Sequence, residues 1–345
     1  AYNPRLATMT FQEKLGSMLD KAQRLEGMTP VLAERLGLSA DEAATAVRAA
    51  QLSKADLGTQ MVTEMTSLQG IMGREYARES GESEAVATAI FEAYLPRFAG
   101  DRLPRAKPGL VVGLADRLDS LLGLFSVGLA PTGSADPFGL RRAALGIVAN
   151  LIEHQAFFSV RGGLALTAQQ LPAPVSAQAG EDAAVFVARR LEQMLKDQGL
   201  RFDLVDAVLA VRADDPYRTF RTVTALQDAL RTPAWPAALT AYARCKRIVR
   251  PLTERYPLAP DALTADVSRQ LYESYLVAQA QISPDSDADV LVNALIGLTA
   301  PINRFFEQVM VMADDPAQRR ANLGLLQSIA ALADGIVDLS KVQGF

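Results

Sequence analysis

Imidazole and thiol side chains are scarce in this chain: its 345 residues include one histidine, His154, and one cysteine, Cys245. A Cys/His zinc site needs several such ligands and is excluded. A hydrolytic triad would have to run through His154, which lies in the apolar stretch LIEHQAFF with no nucleophile motif beside it, so a structural role is expected. The lone cysteine also rules out an internal disulfide and fits a reducing compartment.

Carboxylates and cations remain. ADRLD puts Asp116 and Asp119 three residues apart, so on a helix they share a face. Such a pair suits a divalent ion, or else a capped or solvated helix face. In PTGSADPFGLRRAALG, Gly133 and Gly139 bracket a turn that feeds a helix starting near Pro137, with Asp136 placed to cap it. Arg141 and Arg142 then fall in the first turns, against the helix dipole, which points to an anionic partner or buried carboxylates. No Gly-Lys-Ser/Thr follows, so the segment is not a phosphate-cradling P-loop. In YARCKRIVRPLTER, Arg244, Lys246, Arg247, Arg250 and Arg255 fall within about three helical turns. Lys246 and Arg250 are i,i+4 neighbours and repel unless an anion offsets them. The segment is either a solvated cationic face or a contact for phosphates and bases, with Tyr242 and Tyr256 as the nearby stacking rings.

The elements that must position these groups read as helices almost throughout. DAAVFVARRLEQMLKDQG starts at Asp182, a plausible N-cap, and stops at Gly199, with Val187, Leu191, Met194 and Leu195 as its apolar stripe. INRFFEQVMVM repeats the pattern with Ile302, Phe305, Val309 and Met312. PGLVVGL reads as the start of a buried helix that continues through ADRLDSLLGLF. Thr167–Gly180, rich in Pro, Ala, Gln and Ser, lacks a sustained apolar period and reads as a linker. The expected organisation is a first helical domain over 1–165, a linker over 166–180 and a second helical domain over 181–345. No fixed-period repeat is evident.

Composition agrees with a globular protein: 49% hydrophobic and 21% charged residues. No apolar run approaches the roughly 20 residues that cross a bilayer, and no secretory pattern opens the chain, so the cytoplasm is the expected location. The first residues, AYNPRL, carry no Met, as expected of a piece of a longer protein. A net charge of −4 argues mildly against nucleic acid, although cations gathered on one face still bind it.

The first part resembles an HD-type helical domain, in which a His, a His-Asp pair and a late Asp hold a catalytic metal. Along residues 49–57 (AAQLSKADL), Ser53 and Lys54 occupy the place of the His-Asp pair, while Asp116 stands as the late Asp. Lys54 puts a positive charge where the cation would sit, so the resemblance is to a fold whose metal-hydrolase site is lost.

A second resemblance covers much of the chain. FQEKLGSMLDK, LSKADLGTQMVTEMTSLQGIMGREYA, EAYLPRFAGDRLP, GLADRLDSLLGLFSVGLAPTGSADPFGLRRAALGI and FEQVMVMADDPAQRRANLGLL are similar to the beta subunit of bacterial heterotetrameric glycyl-tRNA synthetases, in its C-terminal part. Residues 150–240 match only loosely. The resemblance implies an all-α chain: a degenerate HD domain followed by an anticodon-binding helical bundle like that of arginyl-type synthetases. It implies tRNA-Gly and a catalytic alpha portion as partners, and neither DNA nor a membrane. Glycine activation by a class II site with ATP and magnesium falls to the alpha portion, leaving this segment non-catalytic, with no cofactor or metal of its own. The anticodon contacts it suggests are Lys246, Arg247, Arg250 and Arg319. Lys54, Arg74, Arg141 and Arg142 would meet the tRNA body or acceptor arm, or the catalytic portion. The chain departs from the family at Ala135, where a Lys is usual, and at Ala321-Asn322-Leu323, where Asn-Arg-Leu is usual. Two other functions remain open at this level: a helical scaffold for subunit assembly and a metal-dependent phosphohydrolase.

Overall fold

The computed structural model describes residues 3–98, 100–283 and 285–345. Among these, the chain is built from fifteen α-helices with short 3-10 turns and one small hairpin, Thr10–Gln12 (β1) with Gly16–Ser17 (β2). The architecture is all-α, as the helical periodicities imply. It divides into two compact units: residues 1–194 with 214–217, and residues 195–213 with 218–345.

The helices of the first unit are α1 (Met18–Arg35), α2 (Ala40–Leu52), α3 (Gln60–Glu64), α4 (Ile71–Glu79), α5 (Glu84–Glu92), α6 (Lys107–Ser126), α7 (Leu140–Glu153), α8 (Val160–Ala168) and most of α9 (Ala177–Asp197). At the centre stands α6, packed against α1, α2, α5, α7 and α8. Pro108 in its first turn costs no hydrogen bond, because amides there lack intrahelical acceptors. A helix apolar on all sides is stable only when enclosed, and α6 is buried on nearly every face. Its ionisable residues therefore need partners within the protein. Capping boxes at Ser17/Asp20 and Ser39/Glu42 start α1 and α2.

The second unit contains α10 (Phe202–Arg212), most of α11 (Pro216–Ala229), α12 (Trp235–Val249), α13 (Asp266–Gln281), α14 (Ala288–Gln308) and α15 (Pro316–Ala330). Helix α12 packs on α14 and α15, and α13 on α14. Its buried face carries Trp235, Leu239, Tyr242 and Cys245.

Three boundaries differ from expectation. The long helix α9 starts at Ala177, so Asp182 lies inside it and accepts from Gln178 instead of capping. The Ser176 hydroxyl accepts from the Ala179 amide and does the capping, since Ala and Gln continue a helix as readily as the residues after Asp182. The stretch 166–180 is accordingly half helix, and the two compact units divide at 194/195 within α9 rather than in that stretch. At the other end α14 stops at Gln308, leaving Met312 outside the helix and 56% exposed, while Val311 turns inward. Gly199 ends α9 as expected, in the left-handed region at φ 82°, with the Leu200 amide reaching back to the Leu195 carbonyl.

Candidate nucleic-acid interface

The cationic segment at the end of α12 opens onto a cavity of about 940 Å³ within the second unit. Helix α12 ends because Pro251 cannot continue it, and Arg250 serves as its C-cap. Lys246, Arg247 and Arg250 therefore sit in the last turn and the cap, where cations favour the helix dipole. The chain beyond curls back and brings Arg255 and Tyr256 to the same cavity. Gly324 on α15 makes this possible: a Cβ there would lie 2.6 Å from the Pro257 carbonyl oxygen, so the loop is held against bare backbone. Gln327 pins it further, accepting from the Tyr256 amide (2.9 Å) and donating to the Glu254 carbonyl (2.8 Å).

Lys246 is partly spent within the protein, donating to the Ala330 carbonyl at 3.3 Å and lying 3.5 Å from the Asp334 carboxylate. The Arg247 guanidinium lies 5.6 Å from the Phe345 ring centroid and is exposed, as are Arg250 and Arg255. Among the described residues, Asp334 is the one acidic side chain that lines the cavity, against these four cations. Tyr256, Tyr275 and Phe345 add ring faces. Behind the Ala330 wall of the cavity, buried Tyr242 donates to the Ala330 carbonyl at 2.7 Å, and burial pushes its hydroxyl well above the usual phenol range. Burial likewise pushes the Cys245 thiol up to about 12, so this cysteine is an inert part of the core.

Three of the four expected anticodon contacts are thus brought together. Arg319 is not among them; it lies on α15, half-buried, with its guanidinium 3.4 Å from the Ala313 carbonyl. Arg244, in the same cationic run, faces the other way, toward Asn303 (3.2 Å) and the Phe306 ring (4.4 Å). Phe345 escaped sequence reasoning, because a ring outside any helix gives no periodic signal.

In the first unit, Asp116 and Asp119 form neither a metal pair nor a solvated face. Lys21 bridges them, at 3.0 Å from Asp116 and 2.9 Å from Asp119; Lys54 meets Asp116 at 2.8 Å and Arg24 meets Asp119 at 2.5 Å. Burial works against charge on both carboxylates, but the ammonium and guanidinium groups outweigh it and hold both below the usual carboxylate range. The sequence missed Lys21 and Arg24 because they lie some 95 residues from their partners. Lys54 is buried and also lies 4.4 Å above the Tyr94 ring. Among the described residues no group of three or more His, Cys, Asp or Glu side chains is placed to hold a metal ion.

Arg74 pairs with Glu75 and stacks 4.9 Å from Phe91. Arg141 turns back onto its own loop, donating to the Gly133 carbonyl at 2.5 Å. Asp136 does cap α7, accepting from the Leu140 and Arg141 amides at 2.8 and 2.9 Å, although the helix starts at Leu140 rather than near Pro137. Arg142 is exposed at the mouth of a second cavity. His154 is structural in its geometry: it ends α7, with Nε2 2.8 Å from the Pro104 carbonyl oxygen.

Comparison with known proteins gives the family. A family model described as glycyl-tRNA synthetase beta subunit matches residues 1–210. The glycine–tRNA ligase beta subunit of Moorella thermoacetica is 39% identical over 98% of this chain and 50% of its own length. That of Aromatoleum aromaticum is 40% identical over 98% of the chain and 49% of its own. A chloroplastic/mitochondrial glycine–tRNA ligase of Arabidopsis thaliana is 38% identical over the whole chain and 32% of its own length. The chain therefore spans about half the length of these bacterial relatives and a third of the plant one. With matches of this extent, the chain belongs to the glycyl-tRNA synthetase beta subunit family.

Proposed function

We propose that this chain is the tRNA-gripping part of a glycine–tRNA ligase, and that its second unit takes the anticodon loop of tRNA-Gly. The observation that carries this is the convergence of Lys246, Arg247, Arg250 and Arg255 with three aromatic rings on one open cavity. RNA sequence is read chiefly from unpaired bases that leave their stack, rest on aromatic or guanidinium planes and expose their edges to hydrogen-bonding groups. Arg247 over Phe345 offers one such plane. Arg250 and Arg255 supply charge for the flanking phosphates. Glycine codons begin with two guanines, so the glycine anticodons share two cytosines, whose amino groups suit the Asp334 carboxylate and the backbone carbonyls around it.

Glycine activation with ATP and magnesium belongs in this reading to a separate catalytic alpha portion, and the assembly works in the cytoplasm. The first unit meets the tRNA body or acceptor arm through exposed Arg142, while Lys54, Arg74 and Arg141 act inside the protein. Arg250→Gln, and separately Arg247→Gln, measured for tRNA-Gly binding at several salt concentrations, test the reading. Loss of a phosphate contact lowers affinity and reduces the salt slope by about one. Unchanged affinity and slope in both variants would move the scaffold reading to first place.

A further inference from the structure

The first unit holds a second cavity, of about 690 Å³, between the α6–α7 side of the bundle and the segments around Ser67 and Arg97. Its charge is unbalanced. Among the described residues, Lys21, Lys54, Arg97, Arg117 and Arg142 line it, against Asp116 as the one acidic side chain. Groups just behind the wall do not restore balance. Asp119 is matched by Arg24 and Asp101 by Arg97, which takes Arg97 out of the excess and leaves Lys21, Lys54, Arg117 and Arg142 against Asp116. Asp56, whose carboxylate accepts from the Gly70 and Gly73 amides, offsets part of the excess. Among the described residues Arg117 donates to the carbonyls of Ala93, Gly113 and Leu95, and burial pushes its guanidinium down to about 10. Exposed Arg142 stands at the mouth.

The same wall carries ring faces. Phe98 is 58% and Phe138 43% exposed, large apolar side chains left open beside a cluster of cations. Both are held by built turns rather than by loose chain. Arg117 fixes the segment before Phe98 through the Ala93 and Leu95 carbonyls. Gly139, at φ 66°, turns the chain so that Phe138 and Arg142 reach the same cavity, and a Cβ there would meet the Arg142 guanidinium at 2.8 Å. Thr66, Ser67 and Gln69 complete the rim with neutral polar groups.

Excess positive charge calls for an anion, open rings for a planar group, and neutral donors and acceptors for polar edges. The volume falls in the range of about 300–1,000 Å³ typical of small-ligand sites, too small for a helical stem. We propose that this cavity binds a single unpaired nucleotide, its phosphate against Arg142 and its base against Phe138 and Phe98. The proposal rests on the reading above only in giving the first unit a nucleic-acid role; it involves no residue of the second unit. The nucleotide is either free or part of a single-stranded RNA.

The test is a calorimetric titration of the full chain with AMP, adenosine, inorganic phosphate and a single-stranded RNA tetramer. AMP is expected to bind at least about tenfold tighter than adenosine or phosphate alone, because each half loses either the charge pairing or the stacking. Arg142→Gln and Phe138→Ala should each weaken AMP by about fivefold or more, while Arg250→Gln leaves it unchanged. Both first-unit positions are exposed, so unfolding midpoints should stay at the wild-type value. A tetramer that binds tighter than AMP and displaces it assigns the site to RNA; a tetramer that neither binds nor competes assigns it to free nucleotide. No AMP binding, equal binding of phosphate and AMP, or AMP affinity indifferent to both first-unit variants would overturn the proposal. Anticodon-dependent tRNA binding lost only through Arg247 or Arg250 would leave the reading of the second unit standing in that case.

Discussion

Replacing Asp119 with Asn tests whether the charge lattice inside the first unit holds that unit together. Asp119 is fully buried on α6 and accepts from Lys21 at 2.9 Å and from Arg24 at 2.5 and 3.1 Å. The variant keeps the volume and removes the charge. Lys21 retains Asp116, but Arg24 keeps only neutral acceptors at this site, the Leu15 carbonyl and the new amide oxygen. Breaking a buried pair by removing one partner costs about 3–5 kcal/mol, since the other charge stays desolvated. The retained Asp116 contact puts the expected loss near the lower end, about 3 kcal/mol, or about 6–12 °C in midpoint for a unit of this size. Urea unfolding followed by circular dichroism reads it, with Glu84→Gln as the control: Glu84 pairs with Arg78 on the exposed surface, and its loss should leave the midpoint in place. The pH dependence has a definite sign. Asp119 sits below its ordinary 3.8 in the folded protein, so its contribution is present above that value. It is lost as pH falls toward the folded-state value, when the unfolded chain takes up the proton first. The wild-type advantage over Asp119→Asn should therefore be level from pH 5 to 8 and shrink below about pH 4. A loss under about 1 kcal/mol at pH 7, or an advantage that grows on acidification, would refute the reasoning.

Further outcomes follow from individual contacts. Gly324→Ala should destabilise the second unit by about 1–3 kcal/mol, because the new Cβ meets a backbone oxygen that cannot yield, and tRNA affinity should fall with it as the Tyr256 loop shifts. Tyr242→Phe should cost about 0.5–1.5 kcal/mol through loss of the hydrogen bond to Ala330, read in the same urea titration. Cys245 should resist a thiol reagent such as dithiobis-nitrobenzoate at pH 8 in the folded protein and react at once in denaturant, since its thiol is buried and raised to about 12. Fast labelling of the native protein would show that the core of the second unit opens.

How far the sequence disclosed this molecule depended on whether a signal was local. Helix α6 was legible from PGLVVGL onward, because an apolar stretch opened by Pro and carried on at helical spacing has few alternatives. The Asp136 cap and the Gly199 stop were legible for the same reason, each being settled within five residues. Cap choice between Ser176 and Asp182 was not, because both precede good helix formers and only packing decides. The cations at Lys246, Arg247 and Arg250 were found because α12 places them in one turn. Arg244 was read from charge and Arg319 from the resemblance, and neither says which way a side chain faces. Lys21 and Arg24 left no trace, since their partners on α6 lie far along the chain. Phe98 and Phe138 were passed over because an aromatic in a turn ordinarily reads as a core residue.

The most direct test of the central claim is binding of tRNA-Gly to this chain at one fixed salt concentration, against a copy whose two anticodon cytosines are replaced. An anticodon reader loses about 1–3 kcal/mol per changed base, and Arg247→Gln narrows that difference. Equal affinity for the two tRNAs would contradict the claim, leaving the cavity at the end of α12 without the role assigned to it here.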